Sequence, residues 1–177
     1  MRALICRELG SIDSLEVADI PSPPMGTGQV RVGVKAAGVN FPDILMAEGK
    51  YQVKPPLPFT PGLEVAGVVL ETAPGVSHIA PGDRVIGFAR RGGGYAEECV
   101  LPAGIVTPIP DSLDFVTAAA FPVAYGTAHF ALAYRGALKA GETLLVLGAT
   151  GGVGIAAIEI GKLLGARIIA AASSDEK

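Results

Sequence analysis

Charge and cysteine are both scarce in this 177-residue sequence, and each shortage removes function classes. Only 18% of residues are charged and the formal net charge is −3, so there is no basic field for nucleic acid or an anionic lipid surface. Half of the residues are hydrophobic, which excludes general disorder, because disordered chains are apolar-poor and charge-rich. The two cysteines, Cys6 and Cys99, stand far apart with no metal-ligand spacing around either. That argues against a zinc knuckle or a disulfide framework and for two free thiols in a reducing cytoplasm. The N-terminus, Met1-Arg2-Ala3-Leu4-Ile5, lacks the apolar region and cleavage site of a signal peptide. One stretch, Phe115 to Tyr134, has no Asp, Glu, Lys or Arg, and its length would permit a membrane span. Thr117, Pro122, Gly126, Thr127, His129 and several alanines leave it too little bulk, so a buried, proline-interrupted helical segment is expected.

Turn formers, in contrast, are abundant. There are 24 glycines and 14 prolines, about a fifth of the chain against a usual ~12%. They fall between apolar runs. Strands are expected over Arg2 to Arg7, Leu15 to Ala18, Gln29 to Ala37 (Val30, Val32 and Val34 on one face), Leu63 to Glu71, Arg84 to Phe88 and Tyr95 to Leu101. Short strands at this spacing suggest a compact barrel or sandwich. The second region differs. Asp111-Ser112-Leu113-Asp114 can cap a helix into the charge-free stretch, and Gly141 ends the helical part. Thr143 to Leu147 reads as a wholly apolar strand covered on both faces. A helix to about Leu164 follows, charged only at Glu159 and Lys162 and therefore largely buried elsewhere. It is stopped by Gly165, and Ala166 to Ala172 is a second strand.

Between that strand and helix lies Gly148-Ala149-Thr150-Gly151-Gly152-Val153-Gly154. Glycines let the backbone turn beside a helix N-terminus, whose unpaired N–H groups and positive dipole end suit a pyrophosphate. The spacing departs from the common G-x-G-x-x-G fingerprint, and a ligand-free strand-to-helix turn is the purely structural alternative. An NAD site usually has an acid about 20 residues past the first glycine. Ile168 to Ala172 holds none, and Ser173, Ser174 and Lys177 follow. Hydroxyls and an ammonium suit a 2′-phosphate, so NADPH is preferred over NADH, although Asp175 and Glu176 weaken the argument.

Several stretches then carry a family likeness: Gly38-Val39-Asn40-Phe41-Pro42-Asp43, Gly49-Lys50-Tyr51, Pro61-Gly62-Leu63-Glu64-Val65-Ala66-Gly67, Pro81-Gly82-Asp83-Arg84-Val85, Gly94-Tyr95-Ala96-Glu97, Tyr125-Gly126-Thr127-Ala128 and the glycine loop. In this order they resemble the quinone oxidoreductase (zeta-crystallin-like) branch of the medium-chain dehydrogenase/reductase superfamily. The resemblance implies an α/β chain. A GroES-like, β-rich catalytic domain over residues 1–120 would be followed over 121–177 by the first β-loop-α-β unit of a Rossmann domain with its doubly wound parallel sheet. Zinc-dependent alcohol dehydrogenases of the superfamily carry Cys where this chain has Asn40 and His where it has Leu63. Neither replacement would hold Zn²⁺, and Glu64 cannot build a site alone. A zinc-independent reductase is implied.

Without a Lewis acid, O–H or N–H donors must stabilise the oxyanion formed as hydride arrives. The resemblance implies that Asn40 and Tyr51 line the substrate cleft, where a phenol can also supply a proton. It places Thr127 near the nicotinamide. Gly148, Gly151, Gly152, Val153, Gly154, Ser173, Ser174 and Lys177 are the candidates for the rest of the cofactor. Structural alternatives stand beside these roles. Asn40 can cap a short helix, Asp43 to Ala47, with Asp43 in its first turn. Tyr51 can be an exposed loop residue, and a helical Thr127 can bond its own backbone. His129 reads as a packed helix residue and His78 as a turn residue.

Full-length relatives are close to twice this length, so a C-terminal truncation is expected, with a large apolar surface exposed on the Rossmann piece and no activity of the piece alone. The complete protein is expected to be a cytoplasmic homodimer acting on a small molecule, a quinone or enone, with no nucleic acid or membrane partner. Two other functions stay open: a 2-enoyl thioester reductase with Tyr51 as proton donor, and a non-catalytic nucleotide-binding or interaction protein.

Overall fold

The structure, a computed structural model, describes residues 1–174. The chain divides into two compact units, Met1–Ala120 and Phe121–Lys177.

The first unit is built on an antiparallel sheet of five strands. In chain order these are β3 (Gln29–Ala37), β4 (Glu64–Thr72), β5 (Arg84–Phe88), β6 (Glu98–Pro102) and β7 (Val106–Pro108), arranged β6-β3-β4-β5-β7. A separate pair, β1 (Arg2–Ile5) and β2 (Glu16–Asp19), is also antiparallel. Alternation places Val30 and Val32 at zero exposure in a core with Val65, Val69, Val85, Cys99 and Leu101. Val34 is only partly buried, beside a register irregularity between Val34 and Ala36. The strand expected from Tyr95 begins only at Glu98. Residues 95–97 bond to β1 instead, Leu4 donating to the Tyr95 carbonyl and Glu97 to the Arg2 carbonyl.

The central strand β4 is buried on both faces. Val65 and Val69 join the core, and Ala66 meets Ala118 and Ala119 of helix α2 (Phe115–Ala119) on the other. Asp114 caps α2, accepting from the Thr117 N–H at 2.9 Å, and those cap bonds hold its carboxyl below the usual range. Both thiols are free and buried, and burial pushes Cys99 up to about 12.

The second unit holds helix α3 (Phe121–His129), a π-helical turn Phe130–Arg135, strand β8 (Thr143–Leu147), helix α4 (Gly152–Leu163) and strand β9 (Arg167–Ala171). The first unit also holds helix α1 (Phe41–Ala47). Strands β8 and β9 are parallel, Leu147 opposite Ala171. Helix α4 ends in a left-handed Gly165 (φ +81°), with Gly165 donating to Lys162 and Ala166 to Gly161. It approaches the strands through two glycines seven apart: a Cβ at Gly161 would stand 2.8 Å from Leu144 and Ile168, and one at Gly154 would overlap the Gly148 carbonyl.

Four burial expectations are corrected. The charge-free stretch is not one buried segment but α2, α3 and the π-helical turn, with Val116, Phe121, Phe130 and Tyr134 exposed. Pro122 sits in the first turn of α3, where its missing N–H costs nothing, and the helical run closes at Gly136 rather than Gly141. In α4 only Ala156, Ile160 and Gly161 are buried, and in β8 only Val146. An apolar surface signals a face that wants cover; α3 and the two strands cover only one stripe of α4. The expected exposed apolar surface is present: Leu145 is 55% exposed, Leu147 76% and Leu163 86%. His129 is likewise exposed rather than packed. His78 lies in a bend, its Nε2 3.2 Å from the Ala103 carbonyl.

Candidate active site and nucleotide loop

Helix α1 (Phe41–Ala47) carries a candidate catalytic residue at each end. It starts two residues earlier than Asp43, because Asn40 is the N-cap and Pro42 preorganises the first turn. Asp43 Oδ2 accepts from the Asn40 backbone N–H at 2.9 Å. At the other end Gly49 adopts φ +71°, and the N–H groups of Lys50 and Tyr51 both reach back to the Leu45 carbonyl, at 2.8 and 3.0 Å. That turn fixes where Tyr51 emerges. Asn40 and Tyr51 are thus separated by the helix, about 10 Å along its axis.

Asn40 does more than cap. Its Nδ2 donates to Glu64 Oε1 at 2.6 Å, and Glu64 is only 3% exposed. Asp43, also buried, accepts from the Gly62 N–H at 3.1 Å and from the Tyr95 hydroxyl at 2.8 Å. Burial, then the Asp43 hydrogen bond, raise the Tyr95 phenol well above its usual range, so it stays protonated and donates. Four polar side chains from three motifs, Asn40, Asp43, Glu64 and Tyr95, therefore form one network. Sequence reasoning missed Tyr95 and gave Asp43 only a capping role. The motif stretches contained both, but nothing in their spacing said that they meet.

Tyr51 is half-buried, not a freely exposed loop residue. It lines a cleft of about 330 Å³ with Gln52, Val53, Leu63, Phe88 and Arg90. Among the described residues no group of three or more His, Cys, Asp or Glu could hold a metal ion.

The glycine loop divides into two kinds of position. Gly148 needs glycine for its backbone (φ +69°) and Gly154 for the close helix-to-strand approach. Gly151 and Gly152 need it for neither. Gly151 is the N-cap of α4 at φ −79°, and a Cβ at Gly152 would meet nothing nearer than 4.0 Å. The space before the helix N-terminus is open where a side chain would fill it, and this cradle fits a pyrophosphate. Val153 is 43% exposed in the same first turn. Ser173 and Ser174 follow β9 at the same carboxyl edge as the loop, which Ala149 ties to the Ala171 carbonyl at 3.0 Å. Thr127 is exposed on α3. Lys177 lies outside the described residues.

Residues 26–111 match the alcohol dehydrogenase GroES-like domain. The "Quinone oxidoreductase-like protein 2 homolog" of Nematostella vectensis is 45% identical over 99% of this chain and 48% of its own length. The quinone oxidoreductase of Thermus thermophilus, whose structure includes a complex with NADPH, is 38% identical at a TM-score of 0.86. That match covers 99% of this chain and 55% of that one. Erythronolide synthase EryA2 of Saccharopolyspora erythraea is 42% identical over 92% of this chain and 4% of its own length. The chain spans about half the length of the quinone oxidoreductase relatives it matches. With a GroES-like domain of antiparallel strands followed by a parallel β-loop-α-β unit, it is similar over nearly its whole length to quinone oxidoreductases of the medium-chain dehydrogenase/reductase superfamily.

Proposed function

We propose that the protein carrying this chain is an NADPH-dependent, zinc-independent oxidoreductase that delivers hydride to quinones or related conjugated carbonyl compounds. The observation that carries the reading is the open cradle at Gly151 and Gly152, two glycines that the fold itself does not require. Residues 121–177 are read as the opening unit of the Rossmann domain. NADPH is favoured over NADH because Ser173 and Ser174 stand at the carboxyl edge of β9, beside the loop, with no acid between Ile168 and Ser174.

A nicotinamide, when bound, would supply the hydride. Tyr51 is assigned the developing oxyanion, to which its phenol donates a hydrogen bond and then a proton. An amide has two N–H donors; Asn40 spends one on Glu64, which orients the other for a substrate oxygen. Asn40 and Leu63 stand where zinc-dependent members have ligands, which supports a metal-free reaction. The same proposal takes the complete protein to be a cytoplasmic homodimer.

The test is NADPH oxidation by the purified protein with a neutral quinone as acceptor. Turnover is expected, with kcat/KM for NADPH about tenfold or more above that for NADH. Chelators should leave it unchanged; loss of activity with loss of stoichiometric zinc would overturn the metal-free reading. Likeness to a synthase keeps a second reading, a 2-enoyl thioester reductase, and faster turnover of an enoyl thioester than of the quinone would install it. NADPH binding with no turnover of either acceptor would leave a non-catalytic nucleotide-binding protein.

A further inference from the structure

We infer that Arg90 reads a carboxylate on a small ring-shaped ligand held in the Tyr51 cleft. The inference deepens the proposed function and rests on that cleft being the substrate site.

Arg90 lines the cleft just past the end of β5. β4 and β5 pair antiparallel with Glu64 opposite Phe88. Ala89 points inward: it is 2% exposed, and its N–H donates to the Leu63 carbonyl at 2.7 Å. Phe88 and Arg90 flank Ala89 and leave by the opposite side, where both line the cleft with Tyr51, Gln52, Val53 and Leu63. The backbone beneath Arg90 is fixed. Its N–H donates to Phe88 at 3.1 Å, and Gly93 ties the next turn to the Thr60 carbonyl at 2.7 Å.

The Arg90 guanidinium makes no ion pair among the described residues. The residues that line the cleft include no Asp or Glu, and the adjoining acid, Glu64, is buried and accepts from the Asn40 amide. Volume and walls define the rest of the ligand. About 330 Å³ is at the small end of ligand sites and takes a single ring, and Tyr51, Val53, Leu63 and Phe88 give that ring apolar and aromatic contacts. A planar guanidinium at the rim pairs two parallel N–H donors with the two oxygens of a carboxylate.

The experiment measures equilibrium binding of two non-reducible probes, 4-hydroxybenzoate and 4-hydroxybenzamide, to the protein by calorimetry. Wild type is expected to bind the carboxylate about tenfold tighter than the amide. Arg90→Gln should abolish that preference and Arg90→Lys should keep part of it. Arg91→Gln, a neighbouring exposed arginine outside the cleft, should keep all of it. Equal affinity for both probes in wild type, a preference surviving Arg90→Gln, or binding of neither would overturn the inference. Because neither probe is reduced, the outcome is independent of turnover. A carboxylate preference in a protein that reduces no quinone would sink the proposed function alone, and quinone turnover without the preference would sink the anion site alone.

Discussion

The Asn40 side-chain amide donates to Glu64 Oε1 at 2.6 Å, and that carboxylate occupies the space where a side chain on Gly38 would lie. Gly38 has an ordinary backbone conformation, so its requirement for glycine is steric rather than conformational. A methyl group there must displace a buried carboxylate. Gly38→Ala is therefore expected to cost about 1–3 kcal/mol in urea unfolding. The displacement is attributable to Glu64 only if it disappears with Glu64. In a Glu64→Ala background the same Gly38→Ala change should cost under about 0.5 kcal/mol. An undiminished cost would place the clash elsewhere.

Tyr95 gives the first unit a pH dependence of known sign. Its phenol donates to Asp43, and burial followed by that bond raises its pKa above the usual ~10. The folded state holds this proton more tightly than the unfolded chain. The stability it contributes is complete below pH ~10 and is lost as pH rises through the folded value. The loss is at most about 1.4 kcal/mol per pH unit, reduced by solvent at a half-buried hydroxyl. Tyr95→Phe should remove this slope. Cys99, also raised, falls in the same window but is common to both proteins and cancels in their difference. Unfolding curves between pH 9 and 11.5 that stay parallel would refute the assignment.

Local signals made much of the fold legible. Gln29–Ala37, Arg84–Phe88 and Thr143–Leu147 have the expected bounds, because alternation, Pro81-Gly82-Asp83 and the apolar run after Gly141 are each contained in a few residues. Asp114 and Gly165 mark helix ends as their chemistry requires. What stayed hidden is non-local. Tyr95 meets Asp43 across 52 residues, and no spacing in the chain encodes that meeting. The expectation of a largely buried α4 fails because a low charge count reports a surface suited to cover, not the presence of a neighbour. Arg90 lines the Tyr51 cleft from two residues past the end of β5, and no motif marks it.

Tyr51 and Asn40 are separable by what each does in turnover. Tyr51→Phe keeps the ring in the cleft and removes only the hydroxyl. If the phenol supplies the proton, kcat of the complete protein should fall about 10²-fold or more with NADPH affinity unchanged. Asn40→Ala also releases Glu64 and the helix cap, so it should lower both kcat and stability. Unchanged turnover in both variants would remove the two residues from the reaction.

The glycine loop offers the sharpest separation of fold from ligand. At Gly154 a Cβ would overlap the Gly148 carbonyl and stand 2.9 Å from the Ala149 Cα, both backbone and neither free to swing away. Gly154→Ala should therefore push α4 off the strand and lower the thermal midpoint. Gly152 is the first residue of α4, and its nearest neighbour to a new methyl is the Ala124 Cβ at 4.0 Å. For the fold alone, Gly152→Ala is neutral or stabilising by up to about 1 kcal/mol, since alanine is the better helix former. For a pyrophosphate it is harmful, because the methyl stands in the cradle. Gly152→Ala should thus hold or raise the thermal midpoint while weakening NADPH binding about tenfold or more. Intact NADPH affinity in Gly152→Ala would mean that the open space at the helix N-terminus serves no nucleotide.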